Sequence, residues 1–292
     1  MIRIGSILQT SWDWRAAGNF ILGGTGGGLM LVLAAASYPG RPPLLTGLTG
    51  LALIGLGLFL VWLEIGRPWR FIHVYFHPQT SWMTREAITA MVLFPIALLA
   101  LAMDAAVLTA AAGVLGLGFV YCQARILHAS RGIPAWRDPA ILPLIIGTGL
   151  TEGAGLLIVL AAASSAAPGW VPFLFVALLV LRGCAWVVYR QNLAASKAPG
   201  ATLAALARAH GPVFMAGNVV PLGLTLLALL VPALAGGLSV LAALLAIGSG
   251  WYMKFIVVTR AAQVQGYSVG RLRRGRPVPK SPVRRQPDRF VA

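Results

Sequence analysis

Long apolar runs separated by short polar breaks make up this chain, and the length of the runs decides what they are. An α-helix that crosses a bilayer needs about 20 predominantly apolar residues. Eight segments reach that length: residues 17–38, 44–66, 82–103, 105–129, 139–165, 170–192, 212–234 and 238–262. Pro39-Gly40-Arg41-Pro42-Pro43 ends the first, and Pro168-Gly169 follows the fifth. The apolar residues are contiguous and do not alternate with polar ones, which predicts helices and not the strands of a barrel. The expected fold is all-α, a polytopic bundle of eight transmembrane helices over residues 1–266. A basic, Pro-rich tail over residues 267–292 follows it, with eight Lys/Arg against Asp288, and by composition it is disordered on its own. Residues 201–210 form a short amphipathic segment expected to lie on the membrane surface.

Composition agrees. The 292 residues are 58% hydrophobic and only 10% charged, with a mean hydropathy of +0.82, where a soluble domain carries about 25% charged residues. A net charge of +16 would suit a nucleic-acid binder, but the basic residues sit at helix ends and in the tail, as a membrane protein requires. Of 23 Lys and Arg, only Arg41 falls in a loop from an odd span to the next even one, and Arg182 is mid-span. Positive residues stay cytoplasmic, so both termini and the long loops are expected there. Trp12, Asp13, Trp14 and Arg15 precede the first run, a start unlike a cleavable signal. Cys122 and Cys184 lie inside apolar runs without CxxC spacing. They cannot hold an iron–sulfur cluster, which takes about four thiolates, and read as small core residues.

Ionisable side chains within or at the ends of apolar helices are costly and mark candidate sites. Leu63-Glu64-Ile65-Gly66-Arg67-Pro68 ends the second span, with Glu64 one turn before the proline that stops the helix. Glu64 is either a proton donor and acceptor or one half of an interfacial ion pair with Arg67. Ser81-Trp82-Met83-Thr84-Arg85-Glu86 opens the third span, with Ser81 as expected N-cap. Glu86 either complements the helix dipole or meets Glu64 across the hairpin. Tyr121 and Arg125 are one turn apart on one face. They are donors suited to a ligand carbonyl oxygen, or else a belt tyrosine and a snorkelling arginine. Trp136, in Ile133-Pro134-Ala135-Trp136, either walls a site or anchors at the interface.

Glu152 and Arg182 sit midway along spans five and six, at depths that let them form a structural ion pair or part of a proton path. The run Gly23-Gly24-Thr25-Gly26-Gly27-Gly28 predicts close helix packing or contact with a flat ligand. His73, His77, His128 and His210 lie in loops, on the surface segment or at a helix end. That distribution does not suit a haem held between spans, and no metal site is expected.

The Leu63–Pro68 turn with the Ser-Trp-Met-Thr-Arg-Glu opening of span three, Ile133-Pro134-Ala135-Trp136 after span four, eight spans and the length together resemble the membrane anchor subunit of dimethyl sulfoxide reductases (DmsC type). That subunit belongs to the wider NrfD/polysulfide-reductase membrane family. The resemblance implies a bacterial inner-membrane complex of three subunits. One carries molybdopterin, one carries iron–sulfur clusters, and the anchor handles ubiquinone or menaquinone without haem or cluster of its own. It implies a quinone site built from Glu64, Arg67, Trp82, Glu86, Tyr121 and Arg125, with Glu64 where DmsC-type anchors carry a histidine. A cytoplasmic partner would suit oxidation of a substrate such as sulfite or a coenzyme A thioester coupled to quinone reduction. The reverse direction, quinol oxidation for a dimethyl sulfoxide or polysulfide reductase, is the first alternative. The alternative of another class is a secondary transporter with Glu152 and Arg182 as its mid-membrane site and Pro95, Pro143 and Pro221 interrupting its helices.

Overall fold

The computed structural model describes residues 5–65, 68–164 and 168–265. Eight helices long and apolar enough to cross a membrane run through it: α1 (Trp14–Ser37), α2 (Leu44–Glu64), α3 (Trp82–Ala102), α4 (Ala106–His128), α5 (Ile141–Ala163), α6 (Val171–Ala195), α7 (Gly200–Leu230) and α8 (Pro232–Arg260). The protein is an all-α, multi-pass membrane protein. Large side chains such as Leu45, Leu56, Phe173, Leu181 and Leu230 point outward. Exposed apolar surface on that scale marks a lipid-facing wall.

α1 is the axle of the bundle and the most buried of the eight spans. Its glycine run makes this possible. A Cβ on Gly26 would lie 2.7 Å from the Gly50 carbonyl oxygen of α2, and one on Gly27 would lie 2.9 Å from the Gly116 carbonyl oxygen of α4. One on Gly28 would collide with the backbone at Gly149 of α5. Backbones therefore meet directly on three sides, as small residues allow where no hydrophobic effect drives helices together. Gly28→Ala has no flexible side chain to push aside. It should cost at least about 1–3 kcal/mol as an overpacked core, read as a lowered unfolding temperature of the detergent-purified protein.

The first and last described segments meet at one end of the bundle. Strand β1 (Ile7–Leu8) pairs antiparallel with β2 (Gln263–Val264), Ile7 opposite Val264. Trp12 stacks on Trp136 at 4.7 Å, and Trp136 Nε1 donates to the Val257 carbonyl at 2.9 Å. Trp136 is thus neither site wall nor interface anchor. It is a core residue that fixes the loop after α4 beneath the termini.

The structure corrects residues 201–210. They are the first turns of α7 and bury Thr202, Ala205, Leu206 and Ala209. Gly211-Pro212 reads as a break, but a wide π-helical stretch, Gly211–Val219, absorbs the proline and carries the helix on. Residues 266–292, which include the predicted tail, lie outside the described residues.

Candidate functional site

Between α2 and α3, at the end of the bundle that holds the β1–β2 pair, lies a cavity of about 470 Å³. Phe59 and Trp62 of α2 and Met83, Ala87, Met91 and Phe94 of α3 line it, and Phe71, Val74 and Tyr75 come from the 3-10 segment Pro68–Tyr75. That segment is fastened to α3 from below. Thr84 Oγ1 donates to the Val74 carbonyl, and Arg85 donates to the carbonyls of Pro78 (2.8 Å) and Gln79 (2.9 Å). Phe59 and Met91 are half exposed on the lipid-facing surface, so the cavity opens sideways between spans.

Glu86 supplies the carboxylate of this lining. It is only 5% exposed, which rules out the simple role of a dipole-complementing surface acid. Ser81 is the N-cap, its side chain accepting from Thr84 N–H, and the helical period then turns Glu86 inward. Asn19 Nδ2 of α1 donates to Glu86 Oε1 at 3.1 Å. Asn19 sits in a π-helical turn, Asn19–Gly23, a local widening that often marks functional positions.

Glu64 and Glu86 share the walls of a second, smaller cavity with Trp12, Asn19, Phe20 and Met83. The two acids do converge across the hairpin. Arg67 lies outside the described residues. The cation near Glu64 among the described ones is Arg15, which donates to the Leu63 carbonyl at 2.9 Å and pairs with Asp13 at 2.8 Å. The Arg15 guanidinium holds the half-buried Asp13 carboxyl below the usual carboxylate range. One Glu64 oxygen, Oε1, is buried without a hydrogen-bond partner among the described residues.

Trp82, Tyr121 and Arg125 line neither cavity. They form a cation–π stack on another face of α3. The guanidinium carbons of Arg85 and Arg125 lie 4.0 and 4.4 Å from the Trp82 ring centroid, and Arg125 Nη1 donates to Tyr121 Oη at 3.0 Å. The six predicted site residues thus divide. Glu64 and Glu86 are joined by a cavity, the three stacked residues brace α3 against α4, and Arg67 falls outside the description.

The mid-membrane charges also differ from expectation. Glu152 does not pair with Arg182. Its Oε2 is 2.6 Å from Lys254 Nζ of α8 and 2.7 Å from Thr25 Oγ1 of α1, and Trp251 Nε1 donates to Thr25 at 2.9 Å. Arg182 is held instead by neutral acceptors. It donates to Asn218 Oδ1 (2.8 Å), the Ala246 carbonyl (2.8 Å) and the Gly217 carbonyl, which lies in the π-helical stretch of α7. The physical reason is space. Gly24 has no Cβ, and one there would meet Lys254 Nζ at 2.5 Å, so the lysine reaches Glu152 through the gap.

Sequence reading missed three buried polar residues: Asn19, Gln123 and Lys254. Gln123 Nε2 donates to the Asn19 carbonyl at 2.9 Å. The Asn19 Oδ1, Gln123 Oε1 and Glu152 Oε1 atoms are buried without hydrogen-bond partners among the described residues. Together with Glu86, Thr25 and Lys254 they form a polar interior alongside α1. The available signal was a polar or ionisable residue within an apolar run. Both cysteines are free, and Cys184 is exposed on the outside of α6 and not in the core. Compared with protein-family models and with curated proteins, the chain matches none.

Proposed function

We propose that this chain is the quinone-reactive membrane subunit of a molybdopterin/iron–sulfur oxidoreductase, of the DmsC type within the NrfD/polysulfide-reductase membrane family. One observation carries the reading: a lipid-open, aromatic-walled cavity with the buried carboxylate of Glu86 in its lining. The residues present fit such a ligand. About 470 Å³ lies within the roughly 300–1,000 Å³ usual for small-molecule sites. Phe59, Trp62, Phe71 and Phe94 offer flat apolar faces.

A bound quinone supplies two-electron, two-proton chemistry. The chain's own part is to bind and orient the ring, keep bulk water from it, and hold or yield a proton at the Glu86 carboxylate. Asn19 Nδ2 keeps that carboxylate aimed at the cavity. Glu64, across the second cavity, continues the proton route to the end of the bundle where the termini meet. The basic residues flank that same end, so both termini and the mouth of the route belong on the cytoplasmic side of a bacterial inner membrane. The iron–sulfur partner then docks on that side, and the basic residues of the tail suit an acidic partner surface. The favoured direction is oxidation of a cytoplasmic substrate, such as sulfite or a coenzyme A thioester, with quinone reduction. Quinol oxidation would use the same residues. The proposed reading makes no use of Glu152 and Arg182 as a transport site: Lys254 pairs with Glu152, and neutral acceptors hold Arg182.

Two measurements test the reading. Gentle purification from the native membrane should bring down cluster-bearing subunits, and a chain that is complete alone would contradict the proposal. Ala87→Phe fills the cavity at its wall. It should weaken binding of a short-chain quinone analogue at least tenfold, by calorimetry in detergent, with little change in unfolding temperature.

A further inference from the structure

A second lateral groove lies between α6 and α7. It has a volume of about 310 Å³ and is lined by Val187, Arg190, Gln191 and Ala194 of α6 and by His210 and Phe214 of α7. The α6 residues fall at i, i+3, i+4 and i+7, one stripe of a helix, and the α7 pair falls at i and i+4. Arg190 is five residues before the end of α6 at Ala195, about 7–8 Å along the axis. That puts it within two turns of the end of the span at which the basic residues of this chain gather.

The polar groups of the groove are all donors or able to donate. Among the described residues the Arg190 guanidinium has no hydrogen bond and no ion pair. Trp186, fully buried, donates its Nε1–H to His210 Nδ1 at 3.1 Å. A neutral His210 therefore carries its own proton on Nε2, free to donate elsewhere. The His210 ring is also fixed by stacking on Phe214 at 5.2 Å. Gln191 is exposed beside them and adds an amide. Among the described residues no carboxylate lines the groove. An oriented imidazole N–H, an amide and an unpaired guanidinium fork converge where an anion of planar or tetrahedral oxygens would sit. Beneath them Val187, Ala194 and Phe214 make an apolar floor.

We propose that this groove binds an anionic phospholipid, with its phosphodiester on Arg190, His210 and Gln191 and the start of its acyl chains on the apolar floor. A free phosphate ion would satisfy the donors and leave the floor bare, whereas a lipid covers both. The site is independent of the redox reading above and stands if that reading fails.

The test uses the full chain, purified in a neutral detergent and stripped of lipid. Phosphatidylglycerol, phosphatidylcholine and inorganic phosphate are added back in turn, with retention read by native mass spectrometry and stability by the unfolding temperature. Phosphatidylglycerol should remain bound and raise the unfolding temperature. Phosphatidylcholine, whose choline cation meets Arg190, should do so far less, and inorganic phosphate should neither protect nor compete. Arg190→Gln should weaken phosphatidylglycerol binding about tenfold, and Gln191→Ala, a surface change that leaves the fold intact, by a smaller factor. Unaltered phosphatidylglycerol binding in Arg190→Gln overturns the proposal. So does equal protection by inorganic phosphate, which would make this a free-anion site.

Discussion

Glu86→Gln is expected to lower quinone-linked turnover of the purified complex about a hundredfold or more, with binding of a quinone analogue retained. Gln keeps the size of the side chain and an oxygen to accept from Asn19 Nδ2, so the cavity stays shaped. What it removes is a group that can take up and release a proton, and a positioned proton-transfer group contributes about 10²–10⁴-fold. Steady-state assay with a soluble quinone, alongside calorimetry on the same preparation, separates the two effects. Equal loss of binding and turnover would reduce Glu86 to a packing residue. Turnover close to that of the parent would remove it from the chemistry altogether. Glu64→Gln should act in the same direction and less strongly, because Glu64 lines only the smaller cavity.

The second large effect concerns stability. Lys254→Met leaves Glu152 in the middle of the bundle with Thr25 as its remaining donor, and should destabilise the protein by about 3–5 kcal/mol, the usual cost of stripping one partner from a buried pair. Glu152→Gln alone leaves a buried ammonium and should cost a similar amount. The double variant Glu152→Gln with Lys254→Met removes both charges and should recover most of the loss, since well-packed neutral replacements of buried pairs are often nearly neutral. Reversible unfolding in mixed micelles gives the double-mutant cycle, and a coupling of about 2 kcal/mol or more is the expected result. Strict additivity would mean that the two groups do not sense each other.

These two sites differ in how far the sequence discloses them. The spans were legible because a bilayer sets their length and the apolar runs of α2 to α6 match it almost residue for residue. The cap at Ser81 and the convergence of Glu64 and Glu86 were legible because local hydrogen bonding and the helical period act over a few residues. Lys254 was not. It lies six residues before Arg260, where a lysine ordinarily snorkels to the interface. Only the gap left by Gly24, on a helix more than 200 residues earlier in the chain, turns it inward to Glu152. Arg182 was legible as a buried charge but not by partner, because its acceptors are neutral: the Gly217 carbonyl and the Asn218 amide from the π-helical stretch of α7, and the Ala246 carbonyl of α8. The start of α7 misled for a related reason: a wide turn tolerates Pro212 where an ordinary α-helix breaks.

The sideways opening between Phe59 and Met91 sets the units in which any ligand of the Glu86 cavity must be counted. A molecule that arrives through that opening diffuses in two dimensions, within the leaflet, and never as a solute of the aqueous phase. Occupancy then follows the mole ratio of ligand to lipid. Diluting the sample with buffer leaves it unchanged, whereas adding detergent or empty vesicles drains it. Alkyl tails of the detergent enter by the same door, so affinities measured at different micelle concentrations will disagree until they are expressed per mole of amphiphile.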